Sequence, residues 1–210
     1  MKTTQTWKIG DCLHLLPEIP DKSIDMILTD LPYGTTACKW DIIIPFDPLW
    51  NQYERIIKNT GAIVLTASQP FTSSLILSNI KLFKYCWYWI KEKGTNFAMA
   101  NKQPLKCVEE ICVFSKGSIQ YNPIKEPLKH KYIRTYQQND RNSKSAPISS
   151  NEFTVERDSK SPTNLLCFNR ESQSGDSKNH PTQKPVALFE YLIKTYTNEG
   201  DTVHDSCLGS

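Results

Sequence analysis

Short apolar runs alternate with amphipathic stretches from the N-terminus to Phe114, the pattern of strands joined by helices around a mostly parallel sheet. Trp7 to Ile9 reads as a short strand, and Cys12 to Leu16 as a brief helix opening at Gly10-Asp11. Ile24 to Thr29 (IDMILT) is a compact apolar run of the kind buried on both faces of a sheet, and it ends in the loop DLPYG. The spacing of Leu49, Trp50, Tyr53, Ile56 and Ile57 predicts a helix over Asp47 to Asn59, with Gly61 as its C-terminal stop. Ala62 to Ala67 (AIVLTA) is the next buried strand. Pro70 to Ile80 suits a helix with proline in its first turn, Leu82 to Ile90 an aromatic-rich strand, and Val108 to Phe114 closes the block.

From Lys116 to about Lys178 the character changes: Lys, Arg, Ser, Asn, Gln and Pro dominate, and hydrophobic periodicity nearly disappears. The stretch reads as an insertion. Within it, KHKYIRTYQQNDRNSKS (Lys129 to Ser145) mixes basic residues with Tyr132 and Tyr136, a composition suited to phosphate contacts and base stacking. A solvated loop would have the same composition. Periodicity returns after His180, where Val186, Leu188, Phe189, Leu192 and Ile193 predict an amphipathic helix over Pro185 to Tyr196. GDTVHDSCLGS then reads as a turn, a strand ending near His204 and the opening of a glycine-containing loop.

Length and composition narrow this picture only a little. The 210 residues suffice for one domain carrying a sizeable insertion, and 39% apolar with 22% charged residues is a globular balance. A net charge of +3 is too small to identify a partner. The seven cysteines form no CxxC pair and no Cys/His cluster at zinc-ligand spacing, so free thiols in a reducing, cytoplasmic compartment are expected, with no metal. No apolar run is long enough to cross a bilayer, and the polar start MKTTQTWK has no signal-peptide core.

The chemistry is concentrated in Asp30, Leu31, Pro32, Tyr33 and Gly34, directly after a buried strand, where an open α/β sheet places its ligand site. An exocyclic amine on a base is a poor nucleophile because its lone pair is delocalised into the ring. An enzyme that alkylates it needs acceptors for its hydrogens. Asp30 offers a carboxylate, Leu31 a backbone carbonyl that Pro32 can aim, and Tyr33 an aromatic face for a base swung out of its duplex. The same tetrapeptide also suits an ordinary tight turn.

The segment GDCLHLLPEIPDKSIDMILTDLPYG resembles the S-adenosylmethionine-dependent DNA amino-methyltransferases. Their signature is Asp/Asn/Ser-Pro-Pro-Tyr/Phe, and the likeness is to the circularly permuted subgroup in which this motif comes first. NHPTQKPVALFEYLIKTYTNEGDTVHDSCLGS resembles that subgroup's later donor-binding block, and GAIVLTASQPF and WIKEKGTNFAMANKQPLKCVEEICVF resemble its strands and base-approach loops. The resemblance implies an α/β, Rossmann-like methyltransferase sheet, mostly parallel with one antiparallel strand, incomplete at the C-terminus and carrying an inserted recognition region. Residues 1–115 would form the catalytic part, 116–178 the target-recognition region and 179–210 the donor-binding part. Asp30, Leu31, Pro32 and Tyr33 would be catalytic, although Leu31 replaces the family's usual first proline.

Asp11, Thr182, Lys184, Pro185, Asp205, Ser206 and Gly209 match positions that hold the donor S-adenosylmethionine. Apart from the resemblance, Asp11 also suits a helix N-cap and Lys184 a surface lysine ahead of a helix. Lys129, Lys131, Tyr132, Arg134 and Tyr136 fall where the family contacts DNA. In that subgroup a further helix and a strand with a ribose-binding acidic residue follow the glycine loop. The 210 residues hold neither, which implies an exposed sheet edge, weak donor binding and slow or absent methylation by these residues alone. The implied reaction is methylation of adenine N6 in double-stranded DNA. The alternatives are cytosine N4 and a DNA-binding remnant without catalysis. A second polypeptide completing the sheet and a homodimer are the candidate protein partners.

Overall fold

A computed structural model describes residues 4–36, 38–137, 152–169 and 183–208. It divides into two units, Met1–Asn122 with Asn164–Ser210, and Pro123–Thr163. The larger unit is a six-stranded sheet with helices on both faces. In chain order it comprises α1 (Cys12–Leu15), β1 (Ile24–Asp30), α2 (Phe46–Ile56), β2 (Ile57–Ala67), α3 (Phe71–Ser78), β3 (Phe83–Thr95) and β4 (Lys106–Phe114). The smaller unit contributes β5 (Glu126–Gln137) and β6 (Glu152–Lys160). β7 (Leu165–Cys167), α4 (Val186–Tyr196) and β8 (Val203–His204) then complete the sheet unit.

The strand order is β7-β3-β4-β2-β1-β8. β1 is parallel to β2 and β8, and β3 is parallel to β7, while β4 is antiparallel to both of its neighbours. Five strands therefore run one way and β4 the other, the mostly parallel sheet with one antiparallel strand that the resemblance implied. Alternate residues of the central strands serve opposite faces. Ile27, Ile63, Leu65, Cys112 and Phe114 pack with Leu49, Trp50, Tyr53, Phe71 and Leu75 of α2 and α3. Met26, Leu28, Val64, Ile111 and Val113 pack with Leu188, Leu192 and Tyr196 of α4.

Several boundaries differ from expectation for identifiable reasons. Trp7 to Ile9 is not a strand: it pairs with no strand among the described residues, and Trp7 and Ile9 are exposed. An apolar alternation becomes a strand only where a ladder partner exists. The second helix ends at Ile56 rather than Asn59, because Ile57 pairs with Ile24 and opens β2. Gly61, expected as a helix stop, lies inside β2. A Cβ there would meet the Asp25 carbonyl oxygen at 2.7 Å, so the glycine permits close approach to β1. The stretch expected to lack periodicity contains the antiparallel β5–β6 ribbon and, after it, β7. β7 is short, yet its Leu166 is buried in the core. The cysteines are free thiols. Among the described residues no helix is long and apolar enough to cross a membrane.

Candidate active site

The parallel register places Asp30, the last residue of β1, beside Thr66 of β2, at the end of the sheet where chemistry is expected in such folds. The Thr66 hydroxyl donates to Asp30 Oδ1. The Tyr33 hydroxyl lies 2.9 Å from the same oxygen and 3.0 Å from Thr66 Oγ1. Its single proton serves one of them at a time. Lys184, just ahead of α4, brings its ammonium to 2.8 Å from each oxygen of Asp30 although the two residues lie far apart in sequence. The two segments of the motif likeness, around Asp30 and around Lys184, thus meet at one point.

Leu31 stands where the resemblance has proline. Its side chain is buried in the core cluster on the α2–α3 face, so packing restrains the loop in place of a second ring. Gly34 has φ +66° and permits the turn that follows. The Asp41 carboxylate then accepts from the backbone N–H groups of Gly34, Thr35 and Thr36 at 2.8, 2.9 and 2.7 Å. Burial opposes Asp41 ionisation, but hydrogen bonds from Thr36, Gly34 and Thr35 outweigh it and hold the carboxyl below its usual value.

Tyr33 stacks on Phe71, with ring centres 5.3 Å apart and planes inclined by 25°, and Lys184 Nζ lies 5.4 Å from its ring centre. Burial, with the charges of Asp30 and Glu109 added, raises the Tyr33 phenol well above its ordinary value. It remains a neutral hydrogen-bond donor at physiological pH.

Glu109 and Lys91 belong to the same site and were not singled out from the sequence. Glu109 of β4 forms an ion pair through one carboxylate oxygen with Lys91 of β3, and its other oxygen lies 3.4 Å from Lys184 Nζ. The side chains of Lys91, Glu109 and Lys184 are 8%, 10% and 8% exposed. Desolvated charges persist only when paired, and these form a chain, Lys91–Glu109–Lys184–Asp30. The signal in the sequence was charge at the end of one apolar run, YCWYWIKEKG, and in the middle of another, KCVEEICVF.

The expected donor side is partly visible. Asp11 caps α1, accepting from Leu13 N at 2.9 Å, which is the N-cap alternative read from its position. Asp205 follows β8 and accepts from Cys207 N at 2.9 Å. Burial raises its carboxyl, the Cys207 and Thr29 hydrogen bonds lower it, and the Asp30 charge raises it further. Ser206 is fixed by Thr29 Oγ1, 3.2 Å from its N–H, and by the Tyr53 hydroxyl, 2.9 Å from its Oγ. Pro185 occupies the N-cap position of α4. Thr182 and Gly209 lie outside the described residues.

The expected DNA-contacting residues lie on β5. Lys131 is exposed and forms an ion pair with Glu156 at 2.9 Å, and Tyr132 is also exposed. The ribbon register sets Arg134 opposite Val155 and Tyr136 opposite Phe153. Lys129 belongs to the same strand.

Residues 24–210 match the family described as DNA methylase. The chain belongs to that family. Among curated relatives, it is 27% identical to a DNA adenine methyltransferase, YhdJ, of Escherichia coli K12, over 96% of this chain and 70% of that protein. It is 24% identical to the type II methyltransferase M.HpaI of Haemophilus parainfluenzae, again over 96% of this chain. The chain spans 62% of the length of M.HpaI. Among solved structures, the fold is shared with the cytosine-N4-specific PvuII DNA methyltransferase, at TM-score 0.61, 18% identity and coverage of 94% of this chain and 72% of that one. It is also shared with M1.HpyAVI in complex with SAM, at TM-score 0.55, 20% identity and coverage of 93% and 79%. The proteins that this chain resembles are thus named for adenine in one case and for cytosine in another.

Proposed function

We propose that this DNA methylase transfers a methyl group from S-adenosylmethionine to N6 of adenine at specific sites in double-stranded DNA. The observation that carries the proposal is the position of Asp30, at the sheet end, within reach of Tyr33, Thr66 and Lys184. Asp30 accepts a hydrogen of the exocyclic amine and the Leu31 carbonyl accepts the other, which draws the nitrogen toward tetrahedral geometry. As the new carbon–nitrogen bond forms, the methyl–sulfur bond breaks and its electron pair stays on sulfur. The surplus proton leaves the nitrogen for Asp30 or water. Asp30 need not be a strong base, because proximity and alignment supply much of the acceleration.

The site suits a cationic donor. Burial raises the Asp205 carboxyl and the Asp30 charge adds to this, and a sulfonium carrying an α-ammonium would offset both. Asp11, Lys184, Pro185, Asp205 and Ser206, with Thr182 and Gly209, are the donor residues in this proposal, and no metal is required. Lys129, Lys131, Tyr132, Arg134 and Tyr136 would contact the duplex.

Asp at position 30 supports adenine, since the cytosine enzymes of this resemblance more often carry Ser there. The fold likeness to a cytosine-N4-specific enzyme keeps N4 of cytosine as the second reading. The intact protein, incubated with isotopically labelled donor and duplex DNA, separates them after digestion to nucleosides and mass spectrometry. Labelled N6-methyldeoxyadenosine is expected. Labelled N4-methyldeoxycytidine would move the assignment to cytosine, and no label in either would overturn both.

A further inference from the structure

Asp30 is already heavily engaged, and Lys184 is the group that masks its Oδ2. Thr66 and Tyr33 occupy Oδ1, and Lys184 bonds to both oxygens, so a carboxylate with about four lone-pair positions has little left for an incoming amine. Beside it, Glu109 Oε2 is buried and makes no hydrogen bond, although Lys184 Nζ lies 3.4 Å away. A buried carboxylate oxygen without a hydrogen bond is costly, and Lys184 is the cation near enough to satisfy it. Lys91 holds the other oxygen of Glu109 and so fixes where Oε2 points.

We propose that Lys184 has two seats, Asp30 in the resting enzyme and Glu109 Oε2 when a target base is bound, and that Glu109 and Lys91 are positioning residues for this exchange. Closing the gap from 3.4 Å to about 2.8 Å makes a full charge-assisted hydrogen bond to Glu109. It also frees Asp30 Oδ2 for the amine. The ammonium stays paired in both seats, so the lysine charge is never left bare in a poorly solvated site. Before base binding, Lys184 neutralises Asp30. After it, the amine faces an unmasked carboxylate, which is a stronger acceptor. The inference rests on the reading of Asp30 as the amine acceptor and adds the device that makes it available.

The test uses two duplexes containing the sequence found by the transfer assay, one with adenine at the target and one with purine, which lacks the amine. If the target proves to be cytosine, the pair is cytosine and pyrimidin-2-one. Affinities are measured with S-adenosylhomocysteine present, and the amine preference is the ratio of the two. Each ratio is divided by that of Asp30→Ala, which removes the contribution of altered base pairing. The wild type should prefer the amine by roughly tenfold, Glu109→Gln should reduce this toward one, and Glu109→Gln combined with Lys184→Met should restore it. Glu109→Gln should lower kcat with little change in KM for the donor. Lys91→Met should show a smaller loss of preference, and it carries the test if Glu109→Gln does not fold. A wild-type ratio of one would sink the role of Asp30 itself. A wild-type preference that survives in Glu109→Gln or Lys91→Met, or that is not restored in the double variant, would overturn the exchange alone.

Discussion

The end of the sheet and the β5–β6 ribbon handle charge in opposite ways. At the sheet end, Asp30, Lys184, Glu109 and Lys91 are largely desolvated, and each is held by one or more oppositely charged groups. On the ribbon, Lys131–Glu156 and Lys160–Glu126 are ion pairs with both members more than half exposed. The first arrangement is fixed by the fold and any loss of a partner leaves a buried charge behind. The second is screened by water and salt, contributes little to stability, and leaves its lysines available to another polyanion. One region is built for geometry and the other for adaptable contact.

Substitutions should separate the two regions by size of effect. Asp30→Ala removes the acceptor and leaves Lys184 with Glu109 alone, and methyl transfer should fall by about a hundred- to a thousandfold in a single-turnover assay. Asp41→Ala strips the partner from the N–H groups of Gly34, Thr35 and Thr36, and chemical denaturation should show a loss of about 2–3 kcal/mol. Because the Asp41 carboxyl is held below its ordinary value, the stability it contributes is present above the unfolded value near 4 and is lost as pH falls through the folded one. Melting curves of the wild type should therefore drop more steeply on acidification than those of Asp41→Asn.

Gly34→Ala meets both a positive φ and the Ile43 side chain at 2.9 Å, so it should destabilise the protein by about 1–2 kcal/mol in the same assay. The smallest stability change belongs to Lys131→Ala, below about 0.5 kcal/mol. That variant should bind DNA more weakly at all sequences, with a salt dependence reduced by roughly one counterion. If Lys131→Ala destabilised as much as Asp41→Ala, the contrast between the regions would fail.

The legible parts of the molecule were those whose signals are local. IDMILT and AIVLTA announce buried strands because both faces of a central parallel strand are apolar, and DLPYG announces the site because it follows such a strand. The helix over α4 followed from apolar spacing alone. Non-local features were hidden. Trp7 to Ile9 has the composition of a strand but lacks a ladder partner among the described residues, and β7 is too short for a period to show. Ile57 continues the apolar spacing of α2, and only its pairing with Ile24 reveals that the helix has ended. Glu109 and Lys91 joined the site through strand pairing and side-chain reach, and their one sequence cue was charge in the middle or at the end of an apolar run. The fold class was accordingly clearer in the sequence than the network that surrounds Asp30.

In the proposed reaction Asp30 receives the exocyclic amine of an extruded base. A crystal structure of the protein with S-adenosylhomocysteine and a duplex carrying its target sequence tests this directly. The expected result is the amine nitrogen about 2.7–3.2 Å from an Asp30 carboxylate oxygen, with Lys184 moved onto Glu109. A base bound elsewhere, with Lys184 still spanning both oxygens of Asp30, would contradict it.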